Sequence, residues 1–496
     1  MSVGLREASV GFDREGAVPV GTAPANGYLD SVASRTLSGW AYDPMVGGPV
    51  TIEVQAGGRA VGRVRADGFR ADLLAAGYGD GRCGFSMPLS DEQWSQLGPI
   101  GGVTLVIVET GRSLTNAVEI QQRKQIERFR NSVIHGRPAE TAVFTEVALT
   151  DRTVEIAAEV AALARNMQGD AIEESSIWDG IQAGQRELDD YVRRDDNRGL
   201  ARFLLDIPKT DAGNGFIQGR EAYSDFSRTS QEGRDHAIAF VKDGLVSIAQ
   251  YLGLERLECA EQGEWGRVIH TDTDELIDRI GAELGFGIVP PAVFDGLLGL
   301  RTKQGIITDR DAHAIYAAHR LMEHARDTRD VCEIGGGVGR AAYYAHKMGA
   351  RRHTMVDLSS MLLFQYFYLR MTLPEATVRL VTDPGQEPAD FNLVPAGMFA
   401  SLGRHWQWDA VLNCDSFPEM GERICNDYLT ELRHRTPTLV SINQEAMGPL
   451  NADGAGARQV PVAHVMRQRN DYTRAYRFRT WVRQGYAEEV YHPRAA

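Results

Sequence analysis

The sequence predicts an α/β protein whose C-terminal part is a doubly wound, mostly parallel sheet, preceded by a helical region and a small β-sandwich. Three observations lead to this fold class. After residue 329, short apolar runs alternate with helical or mixed segments. A glycine-rich turn joins the first of these runs to a helix-forming segment. Upstream, residues 27–116 contain short strand-like runs, and helical periodicity dominates from there to residue 329.

The N-terminal part divides into two segments. Residues 1–26 are rich in Gly, Ala and Pro and lack periodicity, so we expect a flexible leader. In the next segment, residues 27–122, the run 50–54 alternates apolar and polar side chains before a Gly-Gly pair at 57–58, which is typical of a hairpin. Such closely spaced strands predict a β-sandwich. It contains no cluster of His, Cys or carboxylate side chains, so we expect no chemistry there.

Four short motifs of this segment resemble a small β module that is appended to bacterial enzymes of surface-polysaccharide assembly. The motifs are GYLD (27–30), SGWAYD (38–43), FRADL (69–73) and DGRCGF (80–85). The resemblance implies a module that recruits or orients an enzyme, and it assigns no activity to the segment itself.

Residues 123–329 are predicted to form a helical region. Ile156, Val160, Leu163 and Met167 follow the helical spacing and would share one face of a helix. A second helix is expected to start near residue 273. The sequence HTDTDE (270–275) contains several possible metal ligands, but an Asp followed three residues later by Glu is the usual start of a helix. We therefore interpret it as a cap and predict no metal site.

Composition excludes several classes of protein. Acidic residues outnumber basic ones by 67 to 53, so a net charge of −14 disfavours nucleic acid as a partner. No apolar run approaches the roughly 18 residues of a membrane span, so we expect no integral membrane segment. The five cysteines form no CxxC pair, which favours a reducing, cytoplasmic location and disfavours structural zinc. The sequence indicates no particular oligomeric state.

The most informative segment opens the C-terminal domain, residues 330–496. An apolar strand ends at Glu333-Ile334, the glycines Gly335, Gly337 and Gly339 follow, and a helix-forming run comes next. Glycines at a strand-to-helix turn let a ligand approach the backbone, where the helix N-terminus offers free N–H groups. The second strand ends in Asp357, at the position where a carboxylate can bind the hydroxyls of a ribose.

Two nucleoside cofactors fit this pattern, and the sign of one charge separates them. The stretch from Gly337 to Ala342 satisfies the dinucleotide pattern GxGxxA. However, Glu333 would lie beside the pyrophosphate of a dinucleotide, and two negative charges repel. S-adenosylmethionine carries an ammonium and a sulfonium, so the same carboxylate would attract it. We therefore expect S-adenosylmethionine as the cofactor.

Residues after the later strands extend the predicted cofactor site. Asp383 follows the apolar run 378–381, which we interpret as the third strand, and would meet the adenine amino group. Asn413 closes the fourth strand, beside the expected methionyl part of the cofactor.

Five further blocks in this domain resemble a family of bacterial sugar O-methyltransferases. They are CEIGGGVGRAAYY (332–344), HTMVDL (353–358), NCDSFPEM (413–420), SINQEA (441–446) and YRFRTWVRQGYAEEVY (476–491). The resemblance implies a Rossmann-like class I methyltransferase fold, S-adenosylmethionine as methyl donor, and a sugar or glycan hydroxyl as acceptor, in polysaccharide biosynthesis. Leu358-Ser359 stands where that family often has proline, so the loop after the second strand differs.

Transfer of a methyl group to a sugar hydroxyl calls for a general base, because the hydroxyl is a weak nucleophile. The candidate catalytic residues beyond the sheet edge are Asp415, Glu419 and Glu445, each of which could instead cap a helix or form an ion pair. The segment HWQW (405–408) could offer aromatic faces to a sugar or pack in a core.

Two alternative functions follow from the same residues. The doubly wound sheet could belong to a nicotinamide-dependent sugar oxidoreductase or epimerase. The protein could also be a non-catalytic glycan-binding protein whose glycine loop is vestigial.

Overall fold

The structure is a computed structural model. It describes residues 26–33, 36–56, 59–90, 93, 96, 103–114, 140–167, 178–258, 269, 271–325, 327–446, 459–483 and 485–494. Contacts between Cα atoms divide the chain into two compact units, Arg6–Val133 and Ile134–Ala496. The expected leader, apart from Asn26, and the expected boundary at residue 122 lie outside the described residues.

The first unit contains two antiparallel sheets that share one apolar core. One sheet has the strand order β1-β2-β6-β5 and the other β4-β3-β7. Alternation along the strands supplies this core: Leu37 and Phe85 come from one sheet, and Ile52, Val54 and Ile107 from the other. The elements are β1 (Asn26–Ala33), β2 (Thr36–Tyr42), β3 (Val50–Ala56), β4 (Arg59–Ala66), β5 (Gly68–Phe69), helix α1 (Ala71–Ala75), β6 (Arg82–Pro88) and β7 (Val103–Ile107).

The second unit begins with a helical layer, as the periodicity predicts. Its elements are β8 (Ala142–Phe144), α2 (Asp151–Asn166), α3 (Trp178–Arg194), α4 (Asn197–Leu205), α5 (Arg220–Arg228), α6 (Gln231–Ala237), α7 (Ala239–Tyr251), α8 (Thr273–Leu284), β9 (Leu298–Thr302), β10 (Gly305–Ile307) and α9 (Asp309–His324). Strands β10, β9 and β8 form a small antiparallel sheet.

The helix start predicted near residue 273 is confirmed as a cap. The Asp272 carboxylate accepts hydrogen bonds from the backbone N–H groups of Asp274 and Glu275, at 3.0 and 3.3 Å. His270 lies outside the described residues, and among the residues that are described no group of three or more His, Cys, Asp and Glu side chains could hold a metal ion.

An eight-stranded sheet forms the centre of the second unit, with the order β13-β14-β12-β11-β15-β16-β18-β17. Its first six strands are parallel, and β18 runs antiparallel to both neighbours. The elements are β11 (Asp330–Ile334), α10 (Arg340–Lys347), β12 (Arg352–Asp357), α11 (Ser359–Thr372), β13 (Val378–Leu380), β14 (Phe391–Pro395), β15 (Ala410–Cys414), α12 (Phe417–Leu432), β16 (Leu439–Asn443), α13 (Val462–Gln468), β17 (Tyr472–Arg479) and β18 (Ala487–Pro493). The mixed α/β class is as the sequence predicts.

The run 378–381, which the sequence predicts as the third strand, forms β13 at the sheet edge. A further strand that the sequence analysis does not predict, β14, lies between β13 and β12. The physical reason is burial: all of β14 up to Val394 is buried, whereas Val378 and Arg379 of β13 are partly or largely exposed.

Both faces of the sheet are covered by apolar side chains, which is the usual situation of parallel strands. On one face, Leu393 and Leu412 belong to the same core as Ile156 of α2 and Leu204 of α4. On the other, Val356 and Val411 pack in a core with residues of α12 and α13. The helical layer and the sheet therefore share a core within one unit. No helix of the described part of the chain is long and apolar enough to cross a membrane.

Candidate functional site

A cavity of about 910 Å³ opens at the carboxyl ends of the central parallel strands. Glu333 of β11, Asp357 of β12, Pro395 of β14 and Cys414 of β15 contribute to its wall. In open α/β sheets, ligands bind at this edge. Register explains why the strand ends meet there: Ile334 pairs with Val356 on one side and with Asn413 on the other.

The glycine-rich turn after β11 forms one wall of the cavity. Gly335, Gly337 and Gly339 adopt the left-handed region, with φ of 75, 56 and 93°. At Gly335 a Cβ atom would also lie 2.2 Å from the Oγ atom of Ser416, so both backbone angle and space require glycine. Gly335, Gly336 and Gly337 line the cavity, whereas Gly339 caps α10.

Glu333 contributes a carboxylate to the same wall. Its side chain is 3% exposed and lines the cavity, and its Oε2 atom has no hydrogen-bond partner among the described residues. The His353 Nε2 atom lies 3.6 Å from Oε2. A Cβ atom at Gly336 would lie 3.0 Å from the same oxygen. The buried Glu333 side chain therefore has an oxygen that can accept a hydrogen bond, and it lies beside glycine backbone that no side chain covers.

Asp357 lies at the end of the neighbouring strand and is connected to the glycine turn. Its two oxygens accept hydrogen bonds from the Leu358 N–H at 2.9 Å and from the Gln365 side-chain amide at 2.7 Å. The same Gln365 nitrogen donates to the Gly337 carbonyl at 3.0 Å. Burial raises the pKa of Asp357 to about 7, and the charge of Glu333 acts in the same direction.

Asp415 follows β15 in the left-handed region, with φ of 67°. The loop between β17 and β18 engages both of its oxygens: Tyr486 donates its hydroxyl at 2.9 Å, and the Arg483 guanidinium lies at 2.7 Å. A left-handed non-glycine residue persists only where its surroundings hold it. Asp415 lines the cavity, but it does so as one member of an ion pair.

Glu419 lies in the first turn of α12 and also lines the cavity. It is 3% exposed, and its Oε1 atom has no hydrogen-bond partner in the described structure. Burial, together with the nearby charge of Asp415, raises the pKa of Glu419 to about 8. A carboxyl group with such a pKa is suited to accept a proton near neutral pH.

Three predicted site residues lie away from the cavity wall. Asp383 is exposed and accepts a hydrogen bond from the Gly385 N–H at 2.7 Å, because the strand before it is at the sheet edge. Glu445 forms two hydrogen bonds with the Arg477 guanidinium, at 3.0 and 2.6 Å. Asn413 is fully buried behind the wall, where its amide nitrogen donates to the Ile334 carbonyl at 3.1 Å and to the Ser416 hydroxyl.

The two tryptophans of the segment at 405–408 pack in a core. Trp406 and Trp408 are 2% and 4% exposed, and their indole N–H groups donate to the Pro384 carbonyl and the Thr354 hydroxyl, both at 3.0 Å. Of the two interpretations that the sequence left open, the packing interpretation therefore fits these side chains.

Sequence reasoning missed cavity residues that come from other segments. The turn after β14 (396–401) lines the cavity and Asp383 does not, because β14, which the sequence analysis does not predict, separates β13 from β12. Arg310 and His313 of α9 and Arg483 also line it. Burial, together with the positive charges of Arg483 and Arg310, lowers the pKa of His313 to about 3, so its imidazole is neutral. No local signal in the sequence connects α9 to the glycine turn.

Comparisons with known proteins give structural likeness only. No family model matches the chain, and no curated protein matches it. Similar solved structures include the CcbJ methyltransferase from Streptomyces caelestis, 15% identical over 37% of this chain and 90% of that one, with a TM-score of 0.27. The glycopeptide N-methyltransferase MtfA, complexed with S-adenosyl-L-methionine, is 13% identical over 36% of this chain and 94% of that one, with a TM-score of 0.27.

A third similar structure is the N-terminal domain of EvdMO1 in the presence of SAH and D-fucose. It is 14% identical over 46% of this chain and 99% of that one, with a TM-score of 0.27. These neighbours are described as methyltransferases or cofactor complexes, but such low scores assign neither a substrate nor a residue role to this chain.

Proposed function

We propose that the chain is an S-adenosylmethionine-dependent methyltransferase whose acceptor is a hydroxyl group of a sugar or glycan. The observation that carries the proposal is the pair of buried carboxylates, Glu333 and Asp357, that face one cavity beside the glycine turn. Neither forms an ion pair with an Arg or Lys side chain within the described part of the chain. Buried carboxylates of this kind favour a ligand that brings positive charge and hydroxyl donors.

The residues of the cavity fit the cofactor group by group. The unpartnered oxygen of Glu333 can accept a hydrogen bond from an ammonium group. Asp357, once ionised, can accept from ribose hydroxyls, and the turn after β14 supplies backbone groups and apolar contact. A nicotinamide dinucleotide fits less well, because its pyrophosphate would approach the Glu333 carboxylate at the glycine turn.

For the acceptor, the arrangement favours Glu419 as the general base over the other two candidates. Asp415 is already engaged in an ion pair with Arg483, and Glu445 lies outside the cavity wall. When bound, the cofactor supplies a methyl carbon attached to a positively charged sulfur. Glu419 would accept the hydroxyl proton as the carbon–oxygen bond forms and the carbon–sulfur bond breaks. Most of the rate gain would come from holding the hydroxyl in line with the methyl carbon.

The sugar hydroxyl as acceptor, a role in surface-polysaccharide biosynthesis and a cytoplasmic location are parts of the same proposal. Support for them comes from the five sequence blocks between residues 332 and 491 and from the motifs of the N-terminal module. The volume of the cavity, about 910 Å³, leaves room for an acceptor beside a nucleoside cofactor.

The test is incubation of the full chain with methyl-labelled S-adenosylmethionine and a panel of nucleotide sugars and lipid-linked glycans, followed by mass spectrometry. We expect one acceptor to gain the labelled methyl group. A protein that instead binds a nicotinamide, recognised by its absorbance and fluorescence, would be an oxidoreductase or epimerase. Failure to bind any nucleoside cofactor would favour a non-catalytic glycan-binding protein.

A further inference from the structure

His353 is a buried histidine that lies behind the cavity wall and has no role in the function proposed so far. It belongs to β12, the strand that ends in Asp357, and its side chain is 1% exposed. Neither of its ring nitrogens has a hydrogen-bond partner among the described residues. An imidazole carries at least one N–H group, and buried donors are nearly always paired. An acceptor is therefore expected within reach of this ring.

The acceptor within reach is the Glu333 carboxylate on the neighbouring strand, β11. The His353 Nε2 atom and the Glu333 Oε2 atom are 3.6 Å apart, which is just beyond hydrogen-bond distance. Both side chains lie on one face of the sheet, because His353 pairs with Val331, two residues before Glu333. The last torsion angle of a glutamate side chain is soft, so a small rotation of the carboxylate closes the gap.

The surroundings of both groups restrict how they can move. The Phe391 ring of β14 lies nearly parallel to the imidazole, with 20° between the two planes and 6.4 Å between the ring centroids. On the other side of the carboxylate, a Cβ atom at Gly336 would lie 3.0 Å from Glu333 Oε2. This oxygen therefore lies close to both the glycine turn and the imidazole, and the position of the imidazole affects how the carboxylate faces the cavity.

We propose that His353 is a positioning residue for cofactor binding: its Nε2–H group holds the Glu333 carboxylate in the orientation that receives the ammonium group of the cofactor. This inference rests on the proposed function, since the ammonium group belongs to the ligand proposed there. An ionised carboxylate has about four acceptor sites, so a hydrogen bond from His353 leaves capacity for the ammonium group. In its neutral form, the imidazole orients the carboxylate without cancelling the negative charge that attracts this group.

The experiment is calorimetric titration of the full chain with two ligands. S-adenosylhomocysteine carries the ammonium group, whereas 5′-methylthioadenosine has the adenosine and the sulfur but lacks the amino-acid part. His353→Phe keeps a ring and removes the N–H donor, so affinity for S-adenosylhomocysteine should fall about threefold to tenfold, as loss of one hydrogen bond would give. Affinity for 5′-methylthioadenosine should stay the same. His353→Gln, whose side-chain amide can also donate to Glu333, should keep part of the affinity.

Two controls show whether the effect passes through Glu333. His346→Phe is the matched variant, because His346 of α10 also packs against the Phe391 ring, with 5.3 Å between centroids, and should leave both affinities unchanged. In a Glu333→Gln background, His353→Phe should add little to the loss, because the group that it positions is already altered. Thermal melts check that each variant folds. If His353→Phe does not fold, His353→Asn, whose shorter amide cannot reach Glu333, replaces it.

The two ligands separate a positioning role from a structural one. Loss of affinity for S-adenosylhomocysteine alone, and its absence in the Glu333→Gln background, support the inference. Equal loss for both ligands, or no loss for either, overturns it, and the proposed function then stands because S-adenosylhomocysteine still binds the unchanged chain. If S-adenosylhomocysteine does not bind the unchanged chain, the proposed function fails and the inference fails with it.

Discussion

The two units of the chain differ in how completely their buried polar side chains are hydrogen-bonded. In the first unit, the fully buried Asp43 accepts hydrogen bonds from the Met45 N–H at 2.9 Å and the Thr110 hydroxyl at 2.8 Å. In the second, Glu333 and Glu419 are equally well buried but keep an oxygen without a partner. All buried side-chain polar atoms that lack a partner in the described structure lie between Gln304 and Tyr491.

Buried polar side chains whose hydrogen bonds are all made stabilise the fold, whereas those that keep an unpartnered atom are candidates to bind a ligand. An unsatisfied buried polar atom costs about 1–3 kcal/mol, so a fold retains it where another molecule completes the hydrogen bond or where function needs it. No buried side-chain polar atom of the described part of the first unit lacks a partner. The cavity wall of the second unit combines raised pKa values, at Asp357 and Glu419, with unpartnered oxygens, at Glu333 and Glu419. Four experiments test this difference between the two units.

The largest effect is expected at Glu419. Glu419→Gln keeps the shape of the side chain and removes its capacity to accept a proton, so turnover should fall at least about a hundredfold while cofactor affinity stays near normal. Turnover is measured as methyl transfer under saturating substrates, and cofactor affinity is measured by calorimetric titration. Glu445→Gln is the matched control and should leave turnover unchanged. If Glu445→Gln lost turnover and Glu419→Gln did not, the base would lie outside the cavity wall.

A smaller effect is expected at Asp357. Asp357→Ala removes a charged acceptor that we assign to the ribose, so affinity for S-adenosylhomocysteine should fall about tenfold to a hundredfold. Because the pKa of Asp357 is about 7, the affinity of the unchanged protein should also fall as the pH drops below 7 and the carboxylate gains a proton. Titrations at pH 6 and pH 8 measure both. Equal affinity in the folded variant would remove Asp357 from this role.

The same residue should affect stability in the opposite direction. Native Asp357 keeps its proton up to about pH 7, whereas an unfolded Asp releases it near pH 3.8. Between these values the native state binds more protons, so its free energy of unfolding falls as the pH rises, by up to about 1.4 kcal/mol per pH unit. The melting temperature of Asp357→Asn should therefore be higher than that of the unchanged protein at pH 8 but not at pH 4. Asp383→Asn, at an exposed position, should show no such gain.

The smallest effect is expected from removal of the first unit. A shortened chain that starts at Lys124 should remain folded and bind S-adenosylhomocysteine about as tightly as the full chain, because the cavity wall lies within residues 166–483. Size-exclusion chromatography and calorimetry provide the readouts. Aggregation or weaker binding would mean that the module completes the core of the other unit.

Much of the fold could be predicted because its signals are local. The glycine turn, the acid at the end of β12 and the cap at Asp272 each depend on a few adjacent residues, and all three lie where the sequence places them. The identity of the third strand could not be predicted this way. Both 378–381 and 391–395 are short apolar runs after α11, and only their burial against β12 distinguishes them.

The site was predictable only in part, for a similar reason. Glu333 and Asp357 lie at the ends of their strands, and Asp415 and Glu419 follow the end of β15, so topology alone brings them to one edge. The partners that set their chemistry come from distant segments. Arg483 reaches Asp415 from the loop between the last two strands, and this ion pair is the reason that we propose Glu419 rather than Asp415 as the base.

The hydrogen bonds of Gln365 to the Gly337 carbonyl and the Asp357 carboxylate have a consequence for the thermodynamics of binding. They hold the glycine turn and the end of β12 in one arrangement before any ligand arrives. Ordering the backbone of a residue costs about 1–2 kcal/mol of conformational entropy, and glycine has the most freedom to lose. Here that entropy is lost during folding, so a ligand meets an already ordered turn and retains more of its contact energy as affinity.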